Sequence, residues 1–145
     1  MYGSVSISRF MVDGHKSCDE SLADVERAIK SGSEDRFLLW DRFFDELIRH
    51  FSMEELVLFP ALNDFATKHR LPLRVMEMEH EKMRGLLGAM GGVLDDKEKF
   101  FSLSETLMVL LQQHNIKEEA QVYAPADELL GEETGYVLSQ MRGVY

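Results

Sequence analysis

Two histidine-led segments of this chain repeat one another. His50-Phe51-Ser52-Met53-Glu54-Glu55 is answered 64 positions later by His114-Asn115-Ile116-Lys117-Glu118-Glu119. His15 and His80 stand 65 positions apart, so four of the five histidines fall into one two-fold pattern. Imidazole and carboxylate without thiolate form a donor set for a first-row transition metal; iron suits it best, with manganese or zinc as alternatives. A histidine and a glutamate four residues apart on a helix share one face, about one turn apart. The pattern therefore predicts a metal centre built from two copies of one helical hairpin.

The elements that must position these residues are helices. Prolines number three, and β-branched alternation is scarce. A first helix is expected from about Gly14 to Lys30, with Asp13 as its N-cap and His15, Cys18 or Asp19, Leu22, Val25 and Ile29 facing inward. Ser31-Gly32-Ser33 reads as a turn. A second helix starts near Glu34 or Asp35, carries Trp40, Phe43, Phe44, Leu47, His50, Phe51 and Glu54 inward, and is broken or kinked at Pro60, with a short continuation toward Thr67. A third begins at Pro72 with the stripe Leu73, Met76, His80, Met83, Leu87 and Met90, and ends at Gly91-Gly92. A fourth carries Leu103, Leu107, Leu110, Leu111, His114 and Glu118, and closes at Pro125 and Gly131. Thr134 to Arg142 adds a short C-terminal helix. The fold class is all-α, an up-down antiparallel four-helix bundle in a single domain spanning residues 1–145.

The turns sharpen the metal reading. The midpoint of His15 and His50 falls between residues 32 and 33, and that of His80 and His114 falls at residue 97. Both lie in or beside expected turns. Residues equidistant from the turn of an antiparallel hairpin lie at one height, so the four histidines share a layer with Glu54 and Glu118. Burying those carboxylates among Phe43, Leu47, Phe51, Met83 and Leu107 is costly without a cation. The expected metal ligands are His15, His50, Glu54, His80, His114 and Glu118, with the two glutamates bridging two ions. Glu55 and Glu119 lie about 100° round the helix and read as outer or solvated groups. Asp19 is placed to orient His15 or to sit in solvent. Cys18 reads as a buried reduced thiol. Tyr123 is a core residue or a hydrogen-bond donor below the site. His69 falls in an exposed linker. His80-Glu81-Lys82-Met83-Arg84 lacks the second histidine of a zinc-protease motif, and the His-x-x-x-Glu order differs from the Glu-x-x-His of ferritin-like proteins.

Bulk composition removes other classes. The net charge of −10 disfavours nucleic-acid and anionic-membrane partners. One cysteine excludes an internal disulfide and points to a reducing, cytoplasmic compartment. Met1 to Lys16 lacks the pattern of a signal peptide, and no stretch approaches the ~20 apolar residues of a membrane span.

With these residues together, the chain resembles the hemerythrin-like (HHE) cation-binding domain family over nearly its whole length. The carrying motifs are His15, His50-x3-Glu54-Glu55 with Leu58-Phe59-Pro60, Glu79-His80-Glu81, and His114-x3-Glu118-Glu119. The resemblance implies a bundle with two iron ions in a non-haem di-iron centre, bridged or not by an oxo or hydroxo group. Oxygen-carrying members have a further histidine where Met76 stands here, and an acid five residues after the last histidine; here Glu119 has that spacing and Glu118 has the spacing of four. These departures argue against simple oxygen carriage. The four-His, two-Glu set looks closest to the di-iron domain of iron–sulfur cluster repair (RIC) proteins, which usually carry an extra cysteine-bearing domain. The expected function is binding or sensing of O2, NO or peroxide, or iron handling. The alternatives are a di-iron redox enzyme, an iron donor in cluster repair, or a metal-free helical interaction module. The redox partner and oligomeric state are not encoded in any motif.

Overall fold

The computed structural model describes residues 5–145. The first four residues of the Met1–Lys16 stretch, read above for a signal-peptide pattern, lie outside that range. Seven α-helices follow in order among the described residues: α1 (Ile7–Ser31), α2 (Arg36–Met53), α3 (Phe59–Leu62), α4 (Leu73–Gly91), α5 (Lys97–Glu118), α6 (Ala124–Leu130) and α7 (Thr134–Arg142). Wide π turns at Glu54–Leu58 and Glu119–Tyr123 join α2 to α3 and α5 to α6. The result is the expected four-helix bundle: α1 packs on α2 and α5, and α4 packs on α5 and α2.

Helix α1 begins two turns earlier than its sequence suggests. Ser6, not Asp13, is the cap, and its hydroxyl accepts from the Arg9 amide at 3.0 Å. Ile7 and Met11 extend the inward stripe of His15 and are fully buried, which holds the extra turns despite Gly14. Gly32 adopts a left-handed φ of 70° and closes α1, its N–H reaching Ala28 O and Ile29 O. The Asp96 carboxylate caps α5 by accepting from the Lys99 amide at 3.1 Å. These two short turns set the heights of the histidines. The buried set of α4 is Leu73, Met76, His80, Met83, Leu87 and Met90, the stripe read from spacing. In α5 the inward stripe is Phe100, Ser104, Leu107, Leu111, His114 and Glu118, at alternating steps of four and three; Leu103 and Leu110 stand one position off it and are half-buried.

Pro60 and Pro125 do not end their helices. A proline lacks an N–H and crowds the carbonyl four residues before it. The chain answers by widening the preceding turn, so Phe59 N–H bonds Glu54 O and Ala124 N–H bonds Glu119 O. Beyond Leu62 the continuation is a 3-10 turn at Asn63–Phe65.

The apolar core falls into two clusters. One, toward the hairpin turns, includes Leu22, Val25, Trp40, Phe43, Leu87 and Phe100. The other includes Ile7, Met11, Leu58, Leu62, Met76 and Val122, and is closed by Val137, Leu138 and Met141 of α7. Arg49 fastens the end of the chain by donating to Val144 O at 2.7 Å and Arg142 O at 3.0 Å. Among the described residues, no helix is long and apolar enough to cross a membrane.

Candidate metal centre

All six sequence-predicted ligands converge between the two clusters, and all are buried: His15, His50, Glu54, His80, His114 and Glu118. They form two four-residue groups, His15-His50-Glu54-Glu118 and His80-His114-Glu54-Glu118, each with its donor atoms within 4.8 Å of one another. The glutamates belong to both. Glu118 Oε1 lies 3.1 Å from His15 Nε2, and Glu118 Oε2 lies 3.2 Å from His114 Nε2. Glu54 Oε1 lies 3.0 Å from His80 Nε2, while Glu54 Oε2 faces His50 at 3.8 Å.

The donor set fits a cation. Glu54 Oε1, Glu118 Oε2, His80 Nε2 and His114 Nε2 are buried without hydrogen-bond partners. Such atoms are costly in a dry core. In its neutral form, each histidine that supplies one of them donates from Nδ1 to an outer carboxylate and turns the Nε2 lone pair toward Glu54 or Glu118. A metal cation between nitrogen and carboxylate would satisfy both.

Outer carboxylates orient three of the four rings. His15 Nδ1 donates to Glu119 Oε2 at 2.8 Å, His80 Nδ1 to Glu55 Oε2 at 2.6 Å, and His114 Nδ1 to Glu79 Oε1 at 2.8 Å. Each carboxylate comes from one helix line and serves the histidine of the next line round the bundle. Glu55 is itself gripped by Arg84 at 2.8 and 3.0 Å, and Glu79 by Lys117. Glu55 and Glu119 thus take the outer role considered for them. Asp19 is exposed and does not orient His15. Glu79 was named in the sequence only as a neighbour of His80. Its bond to His114 runs between helices, and no spacing within one helix encodes it.

His50 is held differently. A β-carbon on Gly14 would lie 2.8 Å from His50 Nδ1, so the backbone of α1 itself forms the wall behind this ring. A cavity of about 380 Å³ adjoins it, lined in part by Phe10, Gly14, Cys18, Glu46 and Met53. The face of His80 is covered by Phe51, with ring centroids 4.1 Å apart.

Electrostatics follow from burial. Burial and the adjacent Glu118 push the Glu54 carboxyl well above its ordinary range. Burial would also raise Glu118, but the adjacent imidazoles of His114, His15 and His80 outweigh it and hold Glu118 well below. With no metal bound, protonation of the pair therefore favours the Glu54 side. Burial and His15 lower the His50 imidazole to about 3, which keeps it neutral. For His114, burial is outweighed by Glu118 and Glu79, and its imidazole is raised. Burial pushes the Tyr123 phenol well up, assisted by Glu54 and Glu118. Burial with Glu46 and Asp19 keeps the Cys18 thiol protonated, which fits a packing role. His69 is exposed, as its linker position implies.

No match was found for the chain among curated proteins or solved structures. The family description "Hemerythrin HHE cation binding domain" matches residues 6–126, a span that contains every histidine and glutamate of the centre. The chain belongs to the hemerythrin HHE cation-binding domain family.

Proposed function

We propose that this chain is a non-haem di-iron protein that binds or senses O2, NO or peroxide, or handles iron. The observation that carries the reading is the sharing of Glu54 and Glu118 between two buried four-donor groups, four of whose atoms have no partner. His15 and His50 would hold one ion, His80 and His114 the other, and each glutamate would give one oxygen to each. Bound iron would supply redox-active centres with coordination positions open to a small ligand. The protein supplies the rest. Glu119, Glu55 and Glu79 fix the rings of His15, His80 and His114 so that Nε2 points inward. Phe51 and Phe59 cover the His80 ring with apolar surface, which limits water there. Met76 lies one turn before His80, where a methionine leaves the His80 ion with fewer nitrogen donors than an additional histidine would.

Iron analysis of the purified chain, followed by exposure of the reduced protein to O2 or NO, tests this reading. Two irons per chain and a new absorption band on ligand addition are expected. A stable chain that takes up no iron would overturn it. Sustained consumption of peroxide or NO with a reductant would move the assignment from binding to catalysis.

A further inference from the structure

At Phe59 and Tyr123 the two halves of the two-fold pattern differ by a single oxygen. Phe59 stands five residues after Glu54, and Tyr123 five after Glu118, 64 positions apart like the histidine segments. Both side chains are buried, and both lie where a π turn returns to α-helix. Phe59 stacks over His80, with planes 12° apart and centroids 6.0 Å apart. Tyr123 instead brings its hydroxyl into the first donor group. Its oxygen lies 3.1 Å from His15 Nε2, 3.2 Å from His50 Nε2 and 2.7 Å from Glu118 Oε1, and it also meets Glu54 Oε2.

A phenol has one proton to donate. This one faces two carboxylate oxygens and the lone pair of His15, whose Nδ1 already donates to Glu119. One proton cannot satisfy all of them. Nitrogen and oxygen donors ~2.0–2.2 Å from one ion, at right angles, stand ~2.8–3.1 Å from each other. The Tyr123 oxygen stands at about that separation from His15 Nε2, His50 Nε2 and Glu118 Oε1. In the second group no hydroxyl intervenes, and Phe59 occupies the corresponding place.

We infer that Tyr123 is a fifth protein donor to the ion held by His15 and His50, whereas the ion held by His80 and His114 has only four. This rests on the di-iron reading above. On coordination the phenol O–H bond is replaced by an oxygen–metal bond, and the proton leaves to solvent without change of oxidation state. The two ions are then inequivalent, and the His80–His114 ion is the one with more room for an external ligand.

Ferric loading of the full chain tests this, with iron counted and the visible spectrum recorded in parallel. A phenolate-to-iron charge-transfer band is expected, and Tyr123→Phe should abolish it while two irons are retained. Resonance Raman within that band on the unaltered protein should show phenolate ring modes that shift when ring-deuterated tyrosine is incorporated. Because Tyr136 and Tyr145 are exposed, the band should survive Tyr136→Phe and Tyr145→Phe. The Raman result stands even if Tyr123→Phe does not fold. Two bound irons without phenolate modes, or a band that persists in Tyr123→Phe, would overturn the inference and leave the di-iron reading intact. A chain that binds no iron would overturn both.

Discussion

Gly14 in the first hairpin is the counterpart of Glu79 in the second: each immediately precedes a histidine of the centre, 65 positions apart. Glu79 accepts from the His114 ring at 2.8 Å, whereas Gly14 sets bare backbone against the His50 ring. The round of outer carboxylates that orients His15, His80 and His114 is thereby interrupted at His50. Removing a side chain has let α1 approach α2 closely enough to hold that ring by shape.

Gly14→Ala should therefore act against its helix propensity. Alanine favours a helix interior by ~1 kcal/mol over glycine, but here its methyl would overlap the His50 ring and cost about 1–3 kcal/mol as overpacking. Urea unfolding with and without iron should show a net loss, larger in the iron-loaded form. A stabilised variant with unchanged iron affinity would refute the close-approach role.

The outer carboxylates should matter for metal as well as for folding. Glu55→Ala, Glu79→Ala and Glu119→Ala are each expected to weaken iron binding by about 10–100-fold in chelator competition. Asp19→Ala should leave it unchanged. The sign of the pH effect follows. Partial burial would raise Glu79, but Lys117 and His114 hold it below its ordinary value of 4.5; Glu55 is likewise lowered, by Arg84 and His80 against its own burial. Their contribution is present above the unfolded value and is lost as pH falls through the lowered folded value. Equal affinities for the Asp19 and Glu119 variants would refute the assignment.

Glu54→Gln separates metal binding from fold stability. The substitution removes a buried carboxylate that has one oxygen without a partner. Iron binding should fall below detection. The metal-free variant should match the metal-free parent in stability, because Gln keeps the size and hydrogen-bonding capacity of a protonated Glu54 without its charge. A variant that kept both irons would rule out the bridging role.

Iron uptake should release protons. Without metal the Glu54 carboxyl is held well above its ordinary range, by burial and Glu118, and His114 is also raised. An ion competes with protonation at both groups, so apparent affinity should rise as pH increases. Calorimetry in buffers of different ionisation enthalpy should give buffer-dependent heats; identical heats would contradict the shared-proton state.

Much of this centre was legible because helical spacing and hairpin midpoints are geometric facts of the sequence. The stripe of α4 and all six converging residues follow from them. What the sequence concealed lies between elements. The start of α1 was hidden by Gly14, which breaks a propensity pattern but not the apolar stripe from Ile7. The bond of Glu79 to His114 and the approach of Gly14 to His50 depend on how adjacent helices meet. The widening of the chain before Pro60 depends on a compromise that proline alone does not announce.

The division of the core has a consequence for cooperativity. Two apolar clusters meet across a layer of four imidazoles and two carboxylates, four of whose inward atoms have no hydrogen-bond partner. A bound metal would be the mortar between two half-bundles. Without it, the end near α7 and the end near the hairpin turns are joined by continuous helix backbone and the few bonds that Tyr123 and His15 make to the carboxylates. Heat should then melt the metal-free chain in a broadened transition, with a van't Hoff enthalpy below the calorimetric one, and iron should restore a single sharp event.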